Sequence, residues 1–360
     1  MAVATAGALD LVLGARLGAT LGPLAALAAF LAAALTLAAL VGRSGLTERV
    51  AQALAARARG SALALYAAVC VLCALLTATV SLDGAVVLMV PLLLHLARRF
   101  GAPPAPLFLG VVAVANASSL ALPQGNPTNL VLIDRLHIPP GAFALRMLLP
   151  GLAAATLCGG AIAFSERRAL SASYRAPAPP RAPLSAAERH AASALVVAAL
   201  AAWSAPLVGV APWWPFSAAV LLALLLARER PRPTVPWRTA AQVAGMLILI
   251  QGIDLRLPAE HALGLTGLLA LAALVGVAAA LANNLPIGVC AAVLLGSESA
   301  GYAAAIGLAV GALATPQGSL ATLIAQELAG TNAPALPVRR FAPLAAAAVL
   351  CATTLLWSGL

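Results

Sequence analysis

The chain has 360 residues, of which 62% are hydrophobic and only 9% charged, and its mean hydropathy is +1.00. Soluble domains carry about 25% charged residues, so the composition excludes an ordinary water-soluble fold and indicates an integral membrane protein. The formal net charge of +10 comes from Arg alone, and basic residues that flank apolar runs report topology. Without an aromatic-interleaved basic patch they give no reason to expect nucleic acid as a partner.

Uncharged stretches cover 17–42, 60–82, 105–133, 191–227, 261–297, 299–326 and 341–360. Each has room for a span of about 20 residues. The runs are continuously apolar, without the alternation of a membrane barrel. The expected fold is an all-α polytopic bundle.

Residues 1–22 form an N-terminal segment. Asp10 and Arg16 argue against a deep span, no signal-peptide layout is present, and Gly14, Gly18 and Gly22 are spaced as on a helix-packing face. An interfacial helix, or the remainder of a longer N-terminal region, is the expectation. Residues 23–164 make a first half. Arg43, Arg49, Arg57 and Arg59 precede the uncharged segment 61–97, and Arg98 and Arg99 follow it, so both ends lie on the cytoplasmic side. Such a segment is two crossings or a hairpin that dips in and returns. Residues 105–133 then cross outward and 141–164 return.

A Pro- and Arg-rich linker spans 165–190. Residues 191–360 form the second half. Here 191–211 go out, Trp213 and Trp214 sit at the far interface, and 215–227 come back to Arg228, Arg230, Arg232 and Arg238. Residues 240–253 cross to Asp254–His261. Segment 262–297 then starts and ends on the outer side, the inverse of 61–97. Residues 300–325 cross inward and 341–358 form the last span. An inverted-topology repeat explains this order with one assumption.

The triplet Pro-Gln-Gly occurs at 123–125 and again at 316–318, each within an uncharged stretch. Proline removes a backbone donor and glycine adds freedom, so both helices should break there. Unwound backbone survives at membrane depth only where protein or a water-filled cavity covers it. Corresponding breaks in two halves point to a transporter site. Polar residues gather around them: Asn116, Ser118, Ser119, Gln124, Asn126, Thr128 and Asn129 at the first, Thr315, Gln317, Ser319 and Thr322 at the second. Each hairpin-like segment also has a polar tip, Ser81-Leu82-Asp83-Gly84 and Asn283-Asn284-Leu285-Pro286. An Asp near the bilayer centre costs about 3 kcal/mol on insertion scales, so Asp83 reads as a proton- or cation-coupling carboxylate.

Five cysteines sit in apolar runs and read as small buried hydrophobes. Cys70 and Cys73 share a helix face, which leaves a thiol-seeking metalloid as an open reading. The four His show no metal-ligand spacing. No cofactor, metal or enzymatic constellation is expected.

These motifs resemble the ion transporter superfamily. The tip Ser81–Gly84, the stretch ending Asn126-Pro127-Thr128-Asn129-Leu130, the tip Asn283–Pro286 and the run Thr315–Leu323 carry the likeness, which spans about residues 23–358. Within it the chain is most similar to the arsenite permease branch; sodium/proton antiporters and divalent anion/sodium symporters are more distant. The resemblance implies a homodimeric, multi-pass protein of the bacterial inner membrane with two re-entrant hairpins and two discontinuous helices around the site. It implies Asp83 and Asn284 at the tips, Asn126, Thr128 and Asn129 at the first break, and Thr315, Gln317 and Ser319 at the second. It also leaves room for a soluble ATPase partner. Two departures stand out: Leu82 occupies a position where arsenite permeases carry Asn, and the chain begins about two helices late.

The expected function is proton-coupled efflux of arsenite or antimonite, with Asp83 exchanging the proton. A sodium/proton antiporter, a dicarboxylate or organic-anion carrier, and a non-transporting membrane subunit are the alternatives.

Overall fold

Alanine and leucine dominate the apolar runs, and both are strong helix formers. The structure, a computed structural model, describes residues 17–205, 210, 213–227 and 264–360. Apart from one antiparallel bridge between Ser61 and Ser173, the described residues contain helices and their connections only. In chain order these are α1 (Leu17–Arg43), α2 (Leu46–Arg57), α3 (Ala62–Val80), α4 (Leu82–Phe100), α5 (Pro104–Ser118), α6 (Pro127–Leu136) and α7 (Pro140–Ser165). They continue with α8 (Arg167–Leu170), α9 (Ala186–Ser204), α10 (Trp213–Leu226), α11 (Leu265–Ala282), α12 (Asn284–Leu294), α13 (Glu298–Ala309), α14 (Leu320–Ala329) and α15 (Val338–Ser358). The Gly14 end of the proposed packing face, the arginines from 228 to 238, the crossing 240–253 and the loop Asp254–His261 lie outside the described residues.

Among the described residues four helices, α3, α7, α11 and α15, are long and apolar enough to cross a bilayer. The chain is a multi-pass membrane protein. The helices beside the breaks are shorter: α5 has 15 residues, α6 10, α13 12 and α14 10. At about 1.5 Å per residue none spans a hydrocarbon core of about 30 Å alone. Close packing of α11 on α13 rests on small residues. A Cβ on Gly276 would come 3.0 Å from the Gly311 Cα, and one on Gly307 would come 2.4 Å from the Ala272 carbonyl oxygen. In lipid, backbones that approach this closely supply the packing that hydrophobicity cannot.

Two segments carry structure that the sequence reading did not describe. Within residues 43–59, α2 forms and buries Thr47, Ala51 and Ala55. Arginines advertise solvent, while the apolar spacing of two alanines one turn apart is too weak to reveal a seat. The linker 165–190 is docked rather than free. Tyr174 donates to the Ala55 carbonyl at 2.6 Å, Gln52 donates to the Ala178 carbonyl at 3.0 Å, and Arg49 donates to the Ala182 carbonyl. These bonds use backbone carbonyls, which no residue pattern displays. The boundary drawn at residue 22 does not coincide with a helix end, since α1 runs from Leu17 to Arg43.

Candidate functional site

Each hairpin turns on one residue in a left-handed conformation. Ser81 joins α3 to α4 with φ 90° and ψ 165°, and Asn283 joins α11 to α12 with φ 84° and ψ 145°. Both cap the helix that follows: Ser81 Oγ accepts from the Gly84 N–H at 3.5 Å, and Asn283 Oδ1 accepts from the Leu285 N–H at 3.2 Å. A polar side chain that bonds its own backbone tolerates such a turn where an apolar one would not.

The breaks match as closely. Leu122 and Thr315 have φ/ψ of −135°/153° and −133°/154°, and Asn126 and Ser319 have −139°/133° and −126°/132°. Each triplet closes with the same turn, Gly125 N–H to the Leu122 carbonyl at 3.0 Å and Gly318 N–H to the Thr315 carbonyl at 3.2 Å. Each break docks on the hairpin of its own half. Gln124 donates to the Ala78 carbonyl at 2.9 Å and Thr315 donates to the Ala280 carbonyl, in each case three residues before the tip. Those carbonyls fall in the last turn of α3 and α11, where no intrahelical donor remains.

The sequence carries a further correspondence between the two halves that the motif reading missed. Arg146, Pro150, Ala153, Ala154, Ala155, Leu157 and Cys158 precede Arg339, Pro343, Ala346, Ala347, Ala348, Leu350 and Cys351 by the same separation as Pro123 from Pro316. The correspondence has no insertion from the breaks into α7 and α15.

Tips and breaks meet at one small cavity lined by Leu82, Asp83, Asn126, Pro127, Thr128, Asn284, Leu285 and Leu320. Its volume of about 10 Å³ is roughly that of one water. Every lining residue belongs to the first turn or cap of a helix, so the N-termini of α4, α6, α12 and α14 converge on it. Each brings about half a positive charge, while the N–H groups of Gly84, Thr128, Asn284, Leu285 and Leu320 are already bonded within the protein. Opposing them, Asp83 is 4% exposed and has no hydrogen-bond or ion-pair partner among the described residues. No basic side chain lines the cavity.

Of the residues expected at the site, Asp83, Asn126, Thr128 and Asn284 line the cavity. Ser81, Ser119, Asn129 and Asn283 support it. Asn126 Nδ2 donates to Ser119 Oγ at 3.2 Å, while its Oδ1 accepts from the Thr128 N–H at 3.1 Å and the Thr128 hydroxyl at 2.9 Å. Asn129 donates to the carbonyls of Ser119 and Leu122. At the other tip, Asn283 donates to the Gln317 carbonyl at 2.9 Å, and the Asn284 N–H donates to the Gly318 carbonyl at 2.7 Å. Asn116 reaches Thr322 Oγ1 at 3.4 Å. Thr315 and Thr322 face a separate crevice with Val112, Leu313, Leu336 and Phe341. Gln317 departs from expectation: its side chain is exposed, whereas Gln124 at the matching position is buried. Buried Asn116 Oδ1, Gln124 Oε1, Asn129 Oδ1 and Ser319 Oγ have no hydrogen-bond partner. Leu82, Pro127, Leu285 and Leu320 stood in the quoted motifs but were not expected to line a site, because apolar residues reveal a cavity only once the fold juxtaposes them.

A family model described as citrate transporter matches residues 1–305, which takes in both tips and the first break and stops before the second. No curated protein matches the chain. The match supports the ion-transporter type of the motif resemblance and does not reach the arsenite permease branch. The match indicates a secondary transporter, and the chain belongs to the citrate transporter (CitMHS) family.

Proposed function

We propose that the protein is a secondary-active carrier of a small organic anion of the citrate class, coupled to a cation, with the substrate site at the meeting point of the two tips and two breaks. The observation that carries this reading is the convergence of four helix N-termini on one cavity. At about half a charge each they outweigh the single Asp83 carboxylate, so the pocket favours an anion even without an arginine. The family match points the same way.

In this reading the molecule is an inverted repeat. α3–α4 and α11–α12 are hairpins that enter from opposite faces, and α5–α6 and α13–α14 are the discontinuous helices. A cavity of about one water cannot hold a tricarboxylate. The conformation is therefore closed, and solute enters when the tips part from the breaks. Asp83 has the cation role: a buried unpaired carboxylate is costly unless a proton or metal cation neutralises it. Asn126, Thr128 and Asn284 orient the solute, and the unpartnered oxygens of Asn116, Asn129 and Ser319 offer a coupling cation its ligands.

Arsenite or antimonite efflux is the second reading. The specific observation in its favour is Asp83 in a cavity without a basic side chain, which suits a neutral solute. Reconstituted protein distinguishes them. Citrate flux driven by an imposed proton or sodium gradient, and lost in Asp83→Asn, is the expected result. Arsenite flux without citrate flux would transfer the assignment to the second reading. A homodimer is proposed from the superfamily resemblance, and cross-linking in native membranes tests it.

A further inference from the structure

α7 is apolar enough to cross a bilayer, yet it carries Arg146 nearly two turns from its start. Ionisable residues in such helices are costly and usually have an identifiable partner. The Arg146 Cζ lies 5.8 Å from the ring centroid of Tyr302 on α13, and Tyr302 packs on Phe143 at 5.8 Å. Tyr302 is 1% exposed and Arg146 half-buried. Among the described residues neither Arg146 Nη1 nor the Tyr302 hydroxyl has a hydrogen-bond partner, although both atoms are buried. Glu298, one turn earlier on α13, is exposed and forms no ion pair with Arg146. Tyr302 stands eight residues before Val310, so the pair lies about 12 Å along the helix from the second break.

The unpartnered atoms around the breaks are largely acceptors; here they are a guanidinium N–H and a phenol. A buried charged donor without an acceptor carries its full desolvation cost, and an oxyanion removes it. We infer that Arg146 and Tyr302 form a second anion-binding point, separate from the central cavity, that holds one oxyanion group through Arg146 Nη1 and the Tyr302 hydroxyl. A carboxylate of the transported solute and the phosphate of an anionic lipid share this chemistry. The carboxylate source rests on the organic-anion reading of the cavity; the lipid source does not.

The test measures thermal stabilisation of the purified full chain in detergent, titrating citrate in one arm and short-chain phosphatidylglycerol in the other. Wild type is compared with Tyr302→Phe, which keeps the ring, with Arg146→Gln and Arg146→Lys, and with the cavity variant Asn126→Ala. The expected result is roughly tenfold weaker binding of one of the two anions in Tyr302→Phe and a larger loss in Arg146→Gln. Arg146→Lys should recover part of the loss, because it restores charge without the planar fork. A change in the citrate arm identifies the carboxylate source, and a change in the lipid arm identifies the phosphate. If Asn126→Ala binds citrate like wild type while Arg146→Gln does not, the cavity reading fails and this inference stands. If neither anion stabilises wild type, or all three variants at 146 and 302 respond to both as wild type does, the inference is overturned.

Discussion

At the first break Asn126 and Asn129 bond Ser119, Thr128 and Leu122, all within the same broken helix. At the second, with nearly the same backbone angles, Ser319 has no hydrogen-bond partner for its hydroxyl, and the unwound segment is tied to the hairpin tip through Asn283 and Asn284. Besides the matching bonds of Gln124 and Thr315 to the hairpins, one half thus holds its break with its own side chains, and the other holds it with further bonds to the hairpin tip. The geometry is set by Pro-Gln-Gly and is common to both; the support is not. A break held from within can keep its shape when the hairpin moves, whereas one held by the hairpin should move with it.

The glycines test what the halves share, and give the largest effect. A Cβ on Gly318 would lie 2.1 Å from the Ala312 carbonyl oxygen, and one on Gly125 would lie 2.6 Å from the Ser119 carbonyl oxygen. Backbone cannot yield as a flexible side chain can, so each alanine substitution should destabilise by about 3 kcal/mol or more. Melting in detergent should rank Gly318→Ala below Gly125→Ala and both well below wild type. Equal melting of all three would mean the breaks tolerate another geometry.

Asn126→Ala and Ser319→Ala test what the halves do not share. The first removes a side chain that serves Ser119, the Thr128 N–H and the Thr128 hydroxyl, and should cost about 1–3 kcal/mol. The second removes a hydroxyl without a partner and should leave melting nearly unchanged. Its transport should nevertheless fall if Ser319 faces the solute or the coupling ion. Comparable melting losses in both variants would contradict the difference in support.

Much of this was legible in the sequence, for identifiable reasons. Proline and glycine dictate breaks without help from tertiary structure, so both sites and their polar neighbours could be named in advance. The matching tips were also visible, because Asp83 and Asn283 interrupt long apolar runs. Convergence was not: four helix N-termini share a cavity only after α4 packs on α14 and α6 on α12. Gln317 shows the limit of the motif. Its triplet matches that of Gln124, yet one side chain is buried against Ala78 and the other exposed, because Thr315 has taken the equivalent carbonyl. Arg146 was passed over because a single arginine near a helix end looks like an interfacial anchor.

The strap between the halves gives a smaller effect. Ser185 caps α9 in a capping box with Glu188, whose carboxylate accepts from the Ser185 N–H at 2.6 Å. That backbone bond above all holds Glu188 below its ordinary range, with smaller help from the Ser185 side chain and from Arg49 at 3.7 Å. A lowered folded-state pKa means the stabilisation is present above the unfolded value of about 4.3 and is lost as pH falls through the folded one. Ser185→Ala should cost about 1 kcal/mol at neutral pH. Hydrogen exchange at the start of α9 should show protection falling below about pH 4 in wild type and variant alike, because Ser185→Ala keeps the Ser185 N–H that bonds the Glu188 carboxylate. Protection that does not fall in acid would assign the cap to the Ser185 hydroxyl alone.

The smallest effect sharpens the comparison most. Asn116 Nδ2 reaches Thr322 Oγ1 at 3.4 Å, a direct side-chain link between the helix before the first break and the helix after the second. The distance is long, and Asn116 already donates to the Val112 carbonyl at 2.9 Å, so Thr322→Val should cost only about 0.5 kcal/mol. Its consequence for transport should be larger than for melting. If the second break travels with its hairpin while the first stays, this bond breaks in every cycle, and removing it lowers the barrier between closed and open states. The turnover rate should therefore rise, with solute affinity slightly weakened because the closed state is less favoured. A turnover rate unchanged or reduced in Thr322→Val would mean that the two breaks keep this contact as they move, and that their different supports do not translate into different motion.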